Sequence, residues 1–557
     1  MSTLLISRDD SDIDFTATEK LHFDFDENVE SLDEYITSSI IPKIIDFNIL
    51  IIDIALSENL LDFYGLNLVH HIRLSSKLKD TRFVPIVLIS DFDGCLINNK
   101  TTKARVVFTK NVYLVENTEE KIEEKLIEIS TNNKTLELQN NFLQEFIEKI
   151  VIDEPSSSHN IANEWSIYKW ANSLSHEKKT IMEIADVKTD KIESMLYFKY
   201  LDNLYSMNSY TECEVKSLKD SGSILYIDDE WDKGWSNILE LLLSKSDDVF
   251  FKTFEYNYKE KNDFGVLTDV KNKVLDEDPD LVILDLRLTE TDHNPSCLDI
   301  NMLSGIKLVE IIKKINKGIQ IIMLTATSQS MILERLYDGG VLGYIKKEHP
   351  NDMSIDSTEN INKLYGLLTK GLRNKYLKDI WQIQNELLNL IILKEAKLSF
   401  TENTEILELK NTISMIFDIL NSDMLNKLVF AALTIFKCIE IIIDMYIKEE
   451  SYREGKNWIN NMYWKDTNRK LAIVDSSVEL KIKEIMSEKL NINDYSMIYE
   501  VKRIVCFRNY NIHSGKIKER CSEVLSKNKK PTENDIVDWF NLLKNIVVPM
   551  NTLYKNP

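Results

Sequence analysis

Four short apolar runs between residues 224 and 350 constrain this chain more than any other feature. ILYID, LVILDL, IQIIMLTA and LGYIKK are separated by amphipathic stretches such as GIKLVEIIKKI. Strands buried on both faces read as continuous apolar runs, and helices between them supply right-handed crossovers. The pattern predicts a doubly wound parallel sheet, in which ligand-handling residues collect at the carboxyl ends of the strands. Residues 1–116 repeat part of it, with NILIIDIAL, YGLNLVHHIRL, VPIVLIS and ARVVFTK in the same order. A second, flavodoxin-like unit is expected there.

The remainder reads as helix. Residues 117–221 are charged and amphipathic (EEKIEEKLIEI, NEWSIYKWANSL) and predict a helical connector. Residues 351–400 keep helical periodicity through roughly ten turns, interrupted only by Gly366 and Gly371, and predict a stalk helix. Residues 401–557 read as helix throughout and predict a C-terminal bundle. The expected chain is multidomain: two α/β units, 1–116 and 222–350, then all-α segments, within the three or four domains that 557 residues allow.

A formal charge of −22 argues against a whole-molecule grip on nucleic acid. The acidity is uneven, because residues 360–557 carry about 30 Lys/Arg against about 25 Asp/Glu. A nucleic-acid site would therefore be local and C-terminal. The cysteines (Cys95, Cys213, Cys297, Cys438, Cys506 and Cys521) form no C-x-x-C pair, which suits reduced thiols in the cytoplasm. The start, MSTLLISRDD, lacks the basic flank and apolar core of a signal peptide. The longest apolar run, VFAALTIFKCIEIIIDMYI, carries Lys437, Glu440 and Asp444, too costly for a membrane centre. A soluble cytoplasmic protein without a membrane span is expected.

Asp228 and Asp229 follow ILYI, Asp285 ends LVIL, Thr325 ends IIML, and Lys347 follows GYI. Carboxylates at strand ends suit Mg²⁺, a hard cation that neutralises charge on a transferring phosphoryl group, and one carboxylate can act as the nucleophile. This set, in this order, resembles the receiver domain of two-component response regulators over essentially all of 222–350. The resemblance implies that Asp285 is the phosphoacceptor and that Asp228, Asp229, Asp285 and the Arg287 backbone carbonyl are Mg²⁺ ligands. It makes Thr325 and Lys347 phosphate partners, Tyr344 the switching aromatic, and a sensor histidine kinase the partner. Two departures stand out: the long stretch TETDHNPSCLDINMLSG after Asp285, spanning 289–305, and Glu348 where many members have proline.

In the N-terminal copy, Asp53 matches the phosphoacceptor, Ser90 the threonine and Lys110 the lysine. Its acidic pair would have to be Asp9 and Asp10, which lie beyond LLISR rather than at a strand end. A degenerate receiver used for contacts is expected.

Near the C-terminus, CFRNYNIHSGK puts Arg508, Asn509 and His513 at the end of an apolar helical stretch, with Asn509 and His513 on one face. Histidine beside arginine suits metal-free RNA cleavage, the imidazole moving protons and the guanidinium steadying phosphorane charge. RNYNIH resembles the R-N-x-x-x-H signature of HEPN-domain ribonucleases, over about 400–557. The resemblance implies catalytic Arg508 and His513 supported by Asn509, no metal cofactor, an RNA substrate, and a homodimer or higher oligomer sharing a composite site. Together the motifs imply a phosphorylation-regulated ribonuclease acting in anti-phage defence or stress-induced translation arrest. The alternatives are a non-catalytic signalling scaffold with a HEPN-like binding domain, or a transcriptional response regulator. DNA binding is disfavoured because VKRIVCFRN is too apolar for a recognition helix.

Overall fold

The computed structural model describes residues 2–8, 19–29, 31–131, 142–153, 158–205, 211–256, 262–293, 300–326, 330–350, 356–395, 404–467, 469–471, 477–512, 516–525 and 530–550. Strands β1 (Thr3–Ser7), β2 (Glu19–His22), β3 (Ile49–Asp53), β4 (Ile86–Ser90) and β5 (Val112–Glu116) form a parallel sheet ordered β2-β1-β3-β4-β5. Strands β6 (Gly222–Ile227), β7 (Val249–Thr253), β8 (Leu281–Asp285), β9 (Gln320–Thr325) and β10 (Gly343–Lys346) form a second, ordered β7-β6-β8-β9-β10. The two orders are the same when each sheet is numbered from its own first strand. This is the doubly wound order whose switch point lies between the first and third strands. Strands β1, β4, β8 and β9 are buried along their whole length, which is why they read as runs of Ile, Leu and Val.

Three readings of the sequence are corrected. The fifth strand of the first sheet is VYLVE, not ARVVFTK, which winds into a short helical segment, Thr102–Phe108. The predicted stalk is two helices, Ser357–Arg373 and Tyr376–Glu395, divided by a turn at residues 374–375. Each half joins a different core: Ile361, Leu364, Leu368 and Leu372 pack under the second sheet, while Leu377, Ile380 and Leu387 belong to the C-terminal core. The C-terminal region is not all helix, because Ile447–Glu454 (β11) and Asn457–Trp464 (β12) form an antiparallel hairpin. Its two-residue turn has Gly455 first, at φ +60°, where a side chain would be strained. The connector is helical, and it is packed. Helices Ser158–Leu174 and Lys179–Ser194 supply Ile167, Trp170, Leu174 and Ile181 to the core of the second unit.

The other end of the connector, helix Leu196–Tyr205, is fastened to the first unit by a buried polar chain. The Leu196 amide donates to Asp33 Oδ2 (2.8 Å), and His71 Nε2 lies 2.9 Å from Asp33 Oδ1. Lys199 Nζ lies 2.9 Å from His71 Nδ1 and donates to Thr37 Oγ1 (2.7 Å). An ammonium on Nδ1 makes that nitrogen an acceptor, so Nε2 carries the proton and the ring is neutral. Burial pushes His71 and its neighbour His70 down to about 4. Among the described residues, no helix is long and apolar enough to cross a membrane.

Two measurements follow from this packing. A Cβ on Gly371 would meet Leu281 Cδ1 at 2.3 Å, whereas one on Gly366 would meet nothing. Gly371→Ala is expected to lower stability by about 1–3 kcal/mol through overpacking. Gly366→Ala should raise it by about 0.5–1 kcal/mol through helix propensity. Denaturant midpoints of the two variants should move in opposite directions. For His70 and His71, the unfolded rings titrate near about 6.5 while the folded ones stay neutral to about 4. Protons are therefore taken up by the unfolded chain alone in that interval. The stabilisation is complete above about pH 6.5 and is lost as pH falls to about 4, by up to about 3 kcal/mol per histidine. Unfolding followed at about pH 7 and about pH 5 should show this loss, with a shallower pH slope in His71→Gln.

Candidate functional site

The carboxyl ends of β6, β8 and β10 bring Asp228, Asp285 and Lys347 together, all three buried. Lys347 Nζ is 3.1 Å from Asp228 Oδ2 and 3.2 Å from Asp285 Oδ1. Strand pairing explains the meeting, since adjacent parallel strands bring their last residues side by side and direct the chain that follows over the same edge. Asp228 is further held by the Tyr226 hydroxyl and the Glu230 amide, each at 2.8 Å. Asp285 Oδ2 accepts from the Arg287 amide at 2.8 Å, while its Oδ1 accepts no hydrogen bond among the described residues. Thr325 is buried at the end of β9, and its carbonyl accepts from the Lys347 amide at 2.7 Å. Tyr344 is half-buried in β10, edge-on to Tyr337 and under the Lys363 ammonium.

The electrostatics follow from burial. Burial, then the neighbouring carboxylates of Asp228 and Asp229, push Asp285 up to about 7 against the pull of Lys347. Burial also works against Asp228, yet Lys347 and the two hydrogen bonds hold it below its ordinary value. Burial opposes the Lys347 charge, but the surrounding carboxylates raise it above the usual lysine range. The cluster thus has more negative than positive charge in a dry place, which calls for a further cation. Asp228, Asp229, Asp285 and the Arg287 carbonyl offer hard oxygen donors of the kind Mg²⁺ takes, and Asp285 Oδ1, which has only the Lys347 ion pair and no hydrogen bond among the described residues, fits such a ligand. Among the described residues these acids are not drawn into a ready-made cage, since Lys347 holds two of them.

Asp292, which the sequence reading left within the long 289–305 stretch, organises the loop beside Asp285. Its carboxylate accepts from the amides of Leu288, Thr289 and Ser304 and from the Ser304 hydroxyl. Residues 294–299 of that stretch lie outside the described residues. Glu348 is 2% exposed. It accepts from Trp170 Nε1 (3.0 Å), Ser357 Oγ (2.9 Å) and Asn360 Nδ2 (3.4 Å), and its carbonyl accepts from Ser166 Oγ (3.0 Å). Burial raises its carboxyl above the ordinary range, and these donors oppose the rise. On the other side, Asn163 bridges Glu230 and the Trp235 indole. Asn163, Ser166, Ile167 and Trp170 fall at helical spacing, so polar residues interrupting an apolar face were the signal available in NEWSIYKWANSL.

Register gives the equivalent positions in the first unit. Ile6 pairs with Ile52 as Ile227 pairs with Leu284, so Ser7 and Arg8 stand where the second unit has Asp228 and Asp229. Asp53 corresponds to Asp285 and Ser90 to Thr325. The Asn117 amide donates to the Ser90 carbonyl as the Lys347 amide does to Thr325, so Asn117 takes the lysine position. Lys110 lies before β5, at the opposite edge of the sheet, and pairs with Glu145 while 45% exposed. Its assignment failed because ARVVFTK was taken for the last strand. Asp9 and Asp10 lie outside the described residues. Asp53 remains half-buried, bonded to the Ala55 amide, and among the described residues neither an acidic pair nor a lysine takes the equivalent positions.

In the C-terminal region, Arg508 and Asn509 occupy the last turn of helix Tyr495–Ile512. Arg508 Nη1 donates to Asn509 Oδ1 at 3.0 Å, and its guanidinium lies over Phe436. His513 lies outside the described residues. Arg503, one turn earlier, is committed to Glu500 and Asp535.

Residues 5–115 match the family model of the Inactive Receiver domain, in keeping with the departures at Ser7, Arg8 and Asn117. No curated protein matches the chain. Among solved structures, it is similar to a two-component response regulator of the LuxR family from Aurantimonas sp. SI85-9A1. That match has 15% identity and a TM-score of 0.18 over 26% of this chain and 86% of that one. It is also similar to NtrX from Brucella abortus, at 17% identity and a TM-score of 0.20 over 35% of this chain and 34% of that one. At such scores neither bears on what this chain does. The family match supports a receiver-like domain over residues 5–115.

Proposed function

We propose that the second α/β unit is a phosphoacceptor switch, that Asp285 receives the phosphoryl group from a sensor histidine kinase, and that the C-terminal helical region is the output. The observation that carries this reading is the buried cluster of Asp228, Asp285 and Lys347 at one sheet edge. Asp285 Oδ1 attacks phosphorus, the O–P bond forms as the N–P bond of a phosphohistidine breaks, and the imidazole leaves with a proton. Lys347 then pairs with the new phosphoryl oxygens, and the Thr325 hydroxyl donates to another. A divalent cation held by Asp228, Asp229, Asp285 and the Arg287 carbonyl would supply neutralisation of the phosphoryl charge.

The proposed output is RNA cleavage, supported by the RNYNIH motif and by the pairing of Arg508 with Asn509 at the end of their helix. The RNA 2′-hydroxyl attacks the adjacent phosphorus to give a 2′,3′-cyclic phosphate as the P–O5′ bond breaks; the 2′-proton is lost and the 5′-oxygen leaves protonated, His513 handling the proton, while Arg508 stabilises the charge that develops on the phosphorane. In this reading the motifs of two copies meet in one composite site, and phosphorylation alters how they meet.

Two experiments test the halves separately. With phosphoramidate and Mg²⁺, intact mass should show one phosphoryl adduct on the full chain, absent in Asp285→Asn. An adduct that survives in Asp285→Asn would refute the assignment. Cleavage of total cellular RNA, read with and without the phosphoryl donor, should fall by about 10²-fold or more in His513→Ala with unfolding unchanged. Equal cleavage by His513→Ala would remove the ribonuclease reading, and phosphorylation without any cleavage would point to a signalling scaffold.

A further inference from the structure

The helical connector touches the Asp285 site from two sides. Along extended backbone, neighbouring side chains face opposite ways. Lys347 enters the acidic cluster, and Glu348, the next residue, turns outward into Trp170, Ser357 and Asn360. Ser166 holds the Glu348 carbonyl as well. The same helix reaches the loop after Asp228 and Asp229 through Asn163, which is buried against Glu230 and Trp235. Trp170 and Trp235 pack edge to face, and the Trp235 ring lies 5.8 Å from Lys347 Nζ. Helix 158–174 is thus bonded to both loops that flank the cluster.

Its far side leads to the first unit without a break in packing. Glu164 pairs with Lys188 and Lys191 of the next helix. Trp165 stacks on Phe198 at 5.5 Å, and Phe198 adjoins Lys199, which is bonded to Thr37 and lies 2.9 Å from His71. Thr37 also donates to the Ser194 carbonyl. The Leu196 amide bonds Asp33, so both ends of the connector terminate in buried, directional contacts.

We infer that this connector carries the state of Asp285 to the N-terminal receiver-like unit, with Glu348 as the positioning residue that couples Lys347 to helix 158–174. The inference rests on the phosphoacceptor reading. A phosphoryl group on Asp285 adds negative charge in front of Lys347 and draws its ammonium forward. The shift passes across one peptide bond to Glu348, whose carboxylate and carbonyl are held by four donors that cannot all follow. The contacts of Trp170 and Ser166 loosen, and the loosening reaches residues 196–205 and the Asp33–Thr37 segment through Trp165 and Phe198. In this scheme the first unit, which matches the Inactive Receiver model, is a receiver of the signal and not a source.

The test is hydrogen exchange by mass spectrometry on the full chain, before and after phosphoramidate and Mg²⁺. In the wild type, exchange in peptides covering 158–174, 196–205 and 32–43 should rise by about tenfold on phosphorylation. Trp170→Phe removes the indole donor and keeps the bulk, and Ser166→Ala removes the hydroxyl. Either variant should still take the phosphoryl group, but the phosphorylation-dependent change in 196–205 and 32–43 should be lost. A merely structural role would alter exchange before phosphorylation and leave that difference intact. Wild-type protein that is phosphorylated with unchanged exchange in these segments would overturn the inference and leave the phosphoacceptor reading standing. Variants that respond like the wild type would overturn the role of Glu348. Failure to form any adduct on Asp285 would overturn both readings, and Ser166→Ala keeps the comparison available if Trp170→Phe does not fold.

Discussion

The contact on which the second α/β unit turns is the one between Lys347 and the two carboxylates of Asp228 and Asp285. Burying these charges costs several kcal/mol per ion before their attraction returns any of it, and a packed apolar substitute would usually be as stable or more so. Stability is therefore a poor reason for the cluster to exist. It also stays short of positive charge, so that burial and the neighbouring carboxylates together push Asp285 up to about 7 against the one ammonium that pairs with its Oδ1. The remaining features of the unit serve that arrangement. Parallel pairing delivers the three residues to one edge, the Arg287 amide fixes one oxygen of Asp285, and Asp292 ties down the loop that follows.

The first sheet shows what the same topology does with different residues. Its strand order and register are those of the second, and its equivalents of the acidic pair are Ser7 and Arg8. Burial raises the Asp53 carboxyl above its ordinary range, with the Ala55 amide and the fixed positive charge of Arg8 opposing the rise and Asp91 adding to it. Asn117 leaves no ammonium for a phosphoryl group to meet. With its charge partners altered on both sides, Asp53 lacks the surroundings that Asp228, Asp229 and Lys347 give Asp285, while the sheet beneath it is intact. Fold and chemistry have separated within one molecule.

How much of this the sequence disclosed depended on the kind of signal. The central strands were legible because burial on both faces writes an uninterrupted apolar run, and the strand-end residues followed from them. VYLVE was missed because it is a half-exposed edge strand, and the more apolar ARVVFTK beside it looked the better candidate. The β11–β12 hairpin carries its marker in Gly455, but its outward residues are charged and blended with the helical surroundings. The break at residues 374–375 has neither proline nor glycine, so periodicity ran across it and only the change of core partner reveals it. In the R-N-x-x-x-H motif, Arg508 and Asn509 fall on the expected helix end.

Glu348 is the clearest case of a departure from a family pattern that makes sense only in three dimensions. A buried carboxylate is expensive, and here its hydrogen-bond donors are neutral, with the charge of Lys169 a smaller contribution, so its burial is offset mainly by hydrogen bonds. Two of those donors come from the helix that follows the second unit's own strands, but Trp170 and Ser166 come from the connector. A residue that needed only to end β10 would not require partners from a helix nearly 180 residues earlier in the chain. The requirement becomes intelligible if the contact is meant to be sensitive: a group bonded on one side of the peptide to the reactive cluster and on the other to a separate element must respond when the balance of charge at the cluster changes. Apolar packing at this point would hold the connector equally well and would report nothing, because dispersion contacts have no preferred direction to lose.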